Sequence, residues 1–323
     1  QALAWPSAAE LWKSTGSRSG CSPAKEERNL KLHSRLAKLL KGAYEIYAPA
    51  KINWALDIVG QRADGYHLLD SLMQSLELCD RLYIEPAEEL SLTIDGNPDL
   101  VPDDKNLVLR AARALQQYAH VDTGAHITLE KRIPMGAGLG GGSADAAATL
   151  KALDEIWDLG LSAEELEKIG LSLGADVPFC LLDAPARAQG IGEILTPVPC
   201  KKTFPLVLIQ PCTPLSTKAV FDAWHQSPTQ SSDMEKCLLA LKEGDLQQLA
   251  AHAKNGLEQV SIPMRPQIEI ARQALLDSGA VMARMTGSGS VVFGAFEHHA
   301  AARRAWEKLK TAYSTCILTE TAL

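Results

Sequence analysis

Apolar positions change their spacing several times along this chain, and each change predicts an element. Over residues 44–59 they crowd together, which predicts extended structure broken at Pro49; Asp64-Gly65 then predicts a turn between extended runs. Residues 82–84, 90–94 and 125–133 alternate apolar and polar as strands do, with Ile127, Leu129 and Ile133 sharing one face of the last. Residues 105–120, 145–159 and 162–173 repeat apolar residues at helical spacing, the last opened by a Ser162…Glu165 capping box. In the second half, 206–210 reads as a strand, and 234–241, 246–260, 266–277 and 299–313 as helices. Pro266 stands near the start of one of these helices and Gly279 beyond its end. Residues 283–285 and 291–296 flank a glycine loop as a hairpin-like pair, and 316–319 forms a final strand. Strands and helices do not alternate one by one, so the predicted class is α+β with two lobes rather than a doubly wound parallel sheet.

Length agrees with two lobes, since 323 residues correspond to about two domains. The boundaries read as an extension over 1–43, a first domain over 44–200 and a second over 201–323. Residues 1–43 stand apart in charge: eight Lys/Arg against three Glu make +5, so the remainder carries −12 of the total −7. This stretch reads as an extension outside the fold, with an organelle transit peptide as the alternative and a short basic amphipathic helix over 30–40. An acidic main body argues against a nucleic-acid partner, and no apolar run approaches the length of a membrane span. Seven scattered cysteines without a CxxC pair point to a reducing compartment, the cytoplasm, rather than to a disulfide framework or structural zinc.

The strongest chemical signal is PMGAGLGGGSADAAA, residues 134–148, with five glycines within seven residues and an Ala-rich helix after them. Glycine lets the main chain come close to a ligand, and the first turn of a helix offers free N–H groups at the positive end of its dipole. Physically this is a phosphate cradle. No Gly-Lys-Ser/Thr closes it, so it is not a Walker A loop. Gly136, Gly138 and Gly141 satisfy GxGxxG, but the preceding strand carries Glu130, Lys131 and Arg132, and another helix stands where a dinucleotide fold needs an acid-tipped strand. Two further residues draw notice. Asp176 lies in Gly174-Ala175-Asp176-Val177-Pro178, a stiff turn that suits either a catalytic base or a helix cap. Lys51 interrupts an apolar strand, either as a snorkelling surface side chain or as a working ammonium.

At the glycine loop the chain resembles the GHMP kinase superfamily. Segments 49–76 (PAKINWALDIVGQRADGYHLLDSLMQSL), 173–180 (LGADVPFC), 190–198 (GIGEILTPV) and 285–293 (MTGSGSVVF) are similar, in the same order, to its branch acting on 4-diphosphocytidyl-2-C-methyl-D-erythritol. The resemblance runs from about residue 46 to the C-terminus. One departure is Ala144-Asp145, where relatives often show Ser-Asn.

The resemblance implies a two-lobed GHMP kinase fold of mixed and antiparallel sheets with helices packed on them. It implies ATP-dependent phosphorylation of the substrate's 2-hydroxyl in the non-mevalonate isoprenoid pathway, with Mg²⁺ carried mainly by phosphates and water. It places the catalytic pair on Lys51 and Asp176 and the ATP phosphates on Pro134, Met135, Gly136, Ala137, Gly138, Leu139, Gly140, Gly141, Gly142 and Ser143. Asn106 and Lys131 fall near the adenine; Tyr66, His67 and Phe221 on the cytosine; Asn53 and Thr217 on the erythritol or diphosphate; and Gly287 in a last glycine motif beside them. The implied partners are this small molecule and ATP, with no nucleic acid and no membrane, for a monomer or weak homodimer. Other readings are a GHMP kinase for homoserine or mevalonate, against which Asp64-Gly65-Tyr66-His67 and Phe221 argue, and a non-catalytic nucleotide-binding module, against which Lys51 and Asp176 argue.

Overall fold

In the computed structural model, which describes residues 37–38, 42–95, 101–182, 184–224 and 231–323, the strands gather into two sheets. Two long antiparallel strands, β2 (Tyr44–Gln61) and β3 (His67–Ala87), carry the larger sheet, joined through the turn at Asp64-Gly65. Pro49 does not break β2. The register slips between Pro49 and Lys51, again between Asn53 and Ala55, and again between Ile58 and Gly60. A bulge accommodates a residue with no N–H to donate, so the strand bends there and continues. β1 (Ala37–Lys38) pairs with the start of β2, so these two residues are extended where a helix over 30–40 was expected; the rest of that expectation lies outside the described residues.

β5 (Gly124–Glu130) lies antiparallel to the second half of β3, β4 (Ser91–Asp95) parallel to β5, β6 (Ala186–Gly190) antiparallel to the first half of β3, and β7 (Ile194–Pro197) outside β6. Four helices pack on this sheet: α1 (Leu107–Ala119), α2 (Gly141–Ile156), α3 (Ala163–Leu173) and α4 (Val177–Leu182). Their core joins Leu82, Ile84, Ile127 and Leu129 of the strands to Leu109, Leu115, Leu150 and Leu153 of the helices. Ile133 is buried elsewhere, because β5 stops at Glu130 and the N–H groups of Arg132 and Ile133 turn to the Asp80 carboxylate. The predicted capping box opens α3: Ser162 Oγ accepts from the Glu165 N–H, and the Glu165 carboxylate accepts from the Ser162 N–H. Ser162→Ala is expected to cost about 1 kcal/mol in urea denaturation; an unchanged midpoint would remove the box from the stability of this helix.

The smaller sheet has the order β11 (Thr315–Glu320), β8 (Pro205–Gln210), β10 (Val292–Ala295), β9 (Met282–Met285), all antiparallel. Both faces are covered, which explains the unbroken apolar run 206–209. Leu206, Leu208 and Phe293 meet Trp54 and Ile52 of β2, while Val207, Ile209 and Val292 meet the other side. Trp54 stands edge-on to Phe204 and Phe293, at 5.7 and 5.4 Å between ring centres. Helices α5 (Thr217–Ala223), α6 (Met234–Glu243), α7 (Leu246–His252), α8 (Glu258–Met264), α9 (Gln267–Leu276) and α10 (His299–Leu309) surround it. The single helix expected over 246–260 is therefore two. Its middle is drawn off to β2, where the Leu56 N–H donates to Lys254 O and the Gly256 N–H to Leu56 O, at 2.9 and 2.7 Å. Among the described residues no helix is long and apolar enough to cross a membrane.

Candidate active site

The middle of β2 is buried on both faces, and its alternation divides the work. Ala50, Ile52 and Trp54 enter the apolar core between the sheets, so Lys51 and Asn53 point the other way, into a cleft of about 610 Å³. That cleft is lined by residues 134–143 together with Lys51, Asn53, Asn106, Lys131, Asp176, Thr217, Phe221 and Gly287. Chain segments far apart in sequence thus supply one surface.

Packing explains the glycine loop. α2 starts one turn earlier than the apolar pattern alone suggests, at Gly141, with Gly140 as its N-cap at φ 70° and no side-chain cap. The first-turn N–H groups consequently face the cleft. A Cβ on Gly140 would come within 2.9 Å of the Lys51 stem, and one on Gly138 (φ +79°) within 2.1 Å of the Thr286 carbonyl oxygen. The loop needs residues without side chains because it is pressed between β2 and the 286–290 loop.

Lys51 is 4 % exposed. Its Nζ lies 3.4 Å from Asp176 Oδ2 and donates to Asn53 Oδ1 at 2.9 Å, while its N–H donates to Leu139 O at 2.9 Å. Asn53 is fixed in turn: its Nδ2 donates to Ser71 Oγ, its N–H to Thr286 Oγ1, and the Thr286 hydroxyl sits 3.3 Å from both Asn53 Oδ1 and Gly138 O. Asp176 precedes α4, with its side chain 39 % exposed to the cleft. A buried ammonium beside a half-open carboxylate, at the floor of a cleft walled by free N–H groups, can hold an anion and receive a proton from a hydroxyl.

At one end of the cleft the Asn106 side chain caps α1 by accepting from the Val108 N–H at 3.0 Å. Lys131 is not a surface charge. It is buried and donates to Asp80 Oδ2 at 2.5 Å and to Asp145 Oδ2 at 2.6 Å. Burial works against its charge, but the two carboxylates outweigh it and hold its pKa above the usual lysine value. Burial pushes the Asp145 carboxyl up to about 8; Lys131 opposes that shift, and the neighbouring Asp80 adds to it.

At the other end, Thr217 Oγ1 meets Ser288 Oγ at 3.0 Å. The His67 ring lies 5.3 Å from Phe221 and 5.6 Å from Trp224, while Tyr66 is 60 % exposed. Tyr66 and His67 do not line the cleft. His67 and Phe221 touch each other, so no base fits between them until they part. Sequence reading passed over Trp224, Asp80 and Asp145 as site residues. It also passed over Asn255, whose Nδ2 donates to the carbonyls of Met285 and Gly287 at 2.7 and 2.9 Å and so holds the last glycine loop in place. The contacts that bring them to the site are long-range: Lys131 and Asp145 are 14 positions apart, Lys131 and Asp80 51, and Asn255 and Gly287 32. Among the described residues no group of three or more His, Cys, Asp and Glu is placed to hold a metal ion.

Comparison with known proteins identifies relatives over most of the chain. Residues 106–184 match the model of the GHMP kinases N terminal domain, and residues 237–315 that of the GHMP kinases C terminal. The chain is 40 % identical over 265 residues to a 4-diphosphocytidyl-2-C-methyl-D-erythritol kinase of Lachnoclostridium phytofermentans, covering 81 % of this chain and 91 % of the relative. It is 42 % identical over 273 residues to the protein of that name in Paramagnetospirillum magneticum, covering 84 % and 95 %. A crystal structure of 4-(cytidine 5'-diphospho)-2C-methyl-D-erythritol kinase superposes with a TM-score of 0.75 at 35 % identity, over 86 % of this chain and 99 % of that one. A homoserine kinase from Cytophaga hutchinsonii reaches 0.71 at 16 % identity, over 90 % and 98 %, and shares the fold.

Proposed function

The chain belongs to the GHMP kinases, a family of small-molecule kinases, and from that premise we propose that it transfers the γ-phosphoryl group of ATP to the 2-hydroxyl of 4-diphosphocytidyl-2-C-methyl-D-erythritol. The observation that carries this reading is the 3.4 Å contact between Lys51 and Asp176 in a cleft whose wall is the glycine loop. Support for the acceptor comes from the relatives' names and from the residues around the far end of the cleft.

In this reading the triphosphate lies along the first-turn N–H groups of α2 and residues 136–143, and Mg²⁺ arrives with it as part of the substrate. Asp176 accepts the hydroxyl proton as the acceptor oxygen bonds to the γ-phosphorus, the bond to the bridging oxygen breaks, and ADP leaves. Lys51, 3.4 Å from Asp176, offsets charge on the acceptor and γ-phosphoryl oxygens. Asn53, held by Ser71 and Thr286, orients Lys51. The apposed rings of His67 and Phe221 part to admit the cytosine, with Tyr66 beside them.

The test is ADP release with this cytidylyl alcohol beside mevalonate and homoserine; turnover confined to the first is expected, and preference for either of the others would overturn the acceptor assignment. His67→Ala is expected to raise the KM for the cytidylyl substrate roughly tenfold, the worth of one stacked base, and to leave the KM for ATP nearly unchanged. Equal effects on both would separate His67 from the cytosine.

A further inference from the structure

Side chains at and just before the start of α8 hold the turn between β9 and β10 from behind. Asn255, 5 % exposed, uses its whole amide: Nδ2 donates to the carbonyls of Met285 and Gly287, at 2.7 and 2.9 Å, and Oδ1 accepts from the Leu257 N–H at 2.9 Å. Glu258 Oε1 accepts from the Met285 N–H at 2.8 Å, and Ser261 Oγ donates to Ser288 O at 3.1 Å. The same segment is fixed to β2, where Leu56 bridges to Asn255. A trans peptide turns its C=O and the following N–H in opposite directions. With the Gly287 carbonyl drawn to Asn255, the Ser288 N–H therefore points away from Asn255. The neighbouring peptides held in the same way close within the turn: the Thr286 N–H donates to Val291 O and the Gly289 N–H to Thr286 O, each at 3.0 Å. The Ser288 N–H has no acceptor among the described residues, although Ser288 is buried. Gly287 and Ser288 both line the cleft. They stand between the glycine loop, where a Cβ on Gly287 would come within 3.2 Å of the Gly138 carbonyl oxygen, and Thr217, whose hydroxyl meets that of Ser288.

We propose that Asn255 is a positioning residue for phosphoryl transfer: it fixes the Gly287–Ser288 peptide with its N–H toward the cleft, where that N–H donates to a phosphoryl oxygen of a bound substrate. This rests on the reading of the cleft as the place where the triphosphate of ATP and the diphosphate of the acceptor meet. Gly287, at φ +56°, leaves the peptide beside it easy to rotate, because glycine tolerates both signs of φ. Among the described residues the Asn255 amide is what holds the Gly287 carbonyl. Without that amide the peptide flips, and a carbonyl oxygen stands where the N–H stood. A donor facing an anion then becomes an acceptor facing it, so attraction gives way to repulsion. Asn255 touches no reacting atom; it acts through the orientation of one peptide plane.

The test is calorimetric titration of the full chain with two ladders of ligands, AMP, ADP and ATP with Mg²⁺, and cytidine, cytidine 5'-monophosphate and cytidine 5'-diphosphate. Asn255→Ala is expected to lose roughly 10–100-fold in affinity at one step of one ladder, the worth of a hydrogen bond to a charged group, and to bind the shorter ligands of that ladder as the unaltered protein does. The step at which the loss appears names the phosphate, and the ladder names its source. Ser261→Ala is the control. It frees the next carbonyl of the same turn, but the N–H opposite that carbonyl is already spent on Thr286 O, so no step of either ladder is expected to change. A loss in Asn255→Ala spread equally over every ligand, AMP and cytidine included, no loss at all, or the same stepwise loss in Ser261→Ala would overturn the proposal. If Asn255→Ala fails to fold, Asn255→Asp, which keeps the shape without the amide donors, is expected to show the same stepwise loss. Failure of both to fold would show Asn255 to be structural and would equally overturn its positioning role. Normal binding of both ladders by the unaltered protein with no stepwise loss in the variant overturns the role of Asn255 alone; no binding of either ladder by the unaltered protein would overturn the reading of the cleft with it.

Discussion

Asp176→Asn is expected to lower turnover by roughly 10²–10⁴-fold with the fold intact, the usual worth of a general base. The amide matches the carboxylate in shape but cannot take the proton of the attacking hydroxyl. Folding should survive because Asp176 is a partly exposed side chain whose ion pair is the 3.4 Å contact with Lys51. Loss of that contact leaves Lys51 Nζ its hydrogen bond to Asn53 Oδ1, so the ammonium is not abandoned in the interior. Coupled ADP release measures the first quantity and urea denaturation the second. Turnover within a few-fold of the unaltered protein would remove Asp176 from the chemistry, whereas an unfolded variant would show the residue to be structural.

Gly138→Ala is expected to lower kcat/KM for ATP by about 10²-fold, the penalty that a displacement of about 1 Å can carry in phosphoryl transfer. The added Cβ would stand 2.1 Å from the Thr286 carbonyl oxygen, and the residue would have to hold φ +79°. Backbone, not a pliant side chain, is in the way. The glycine loop and the 286–290 loop must therefore separate, and the Thr286 bridge between Asn53 and Gly138 goes with them. Gly142→Ala is the comparison, since its Cβ would meet only the tip of Leu107, at 3.2 Å. Equal effects of the two substitutions would show that the apposition of the two loops does not set the phosphate position.

Much of the larger sheet and most of the helices are legible in periodicity, because burying one face of an element leaves a repeat of two or 3.6 residues in the sequence. The capping box at Ser162 is legible for the same local reason. Misreadings fall where a distant partner overrides the local pattern. Pro49 reads as a break but becomes a bulge, because β3 runs on beside it. Residues 246–260 read as one helix but split, because Lys254 and Gly256 bond to Leu56. The strand expected to reach Ile133 ends at Glu130, because Asp80 collects the N–H groups beyond it.

For the cleft itself, the amino-acid order alone determined that a glycine-rich turn leads into a helix, that a lysine interrupts an apolar strand, and that an aspartate sits between a glycine and a proline. Those features are local: they arise from backbone freedom, helix ends and strand alternation within a few residues. Only the tertiary structure decided that Lys51 meets Asp176, that Thr286 joins Asn53 to Gly138, and that Lys131 is enclosed by Asp80 and Asp145 rather than solvated. Partners 125 positions apart come together through sheet pairing and core packing, and the cost of burying charge makes each such meeting specific.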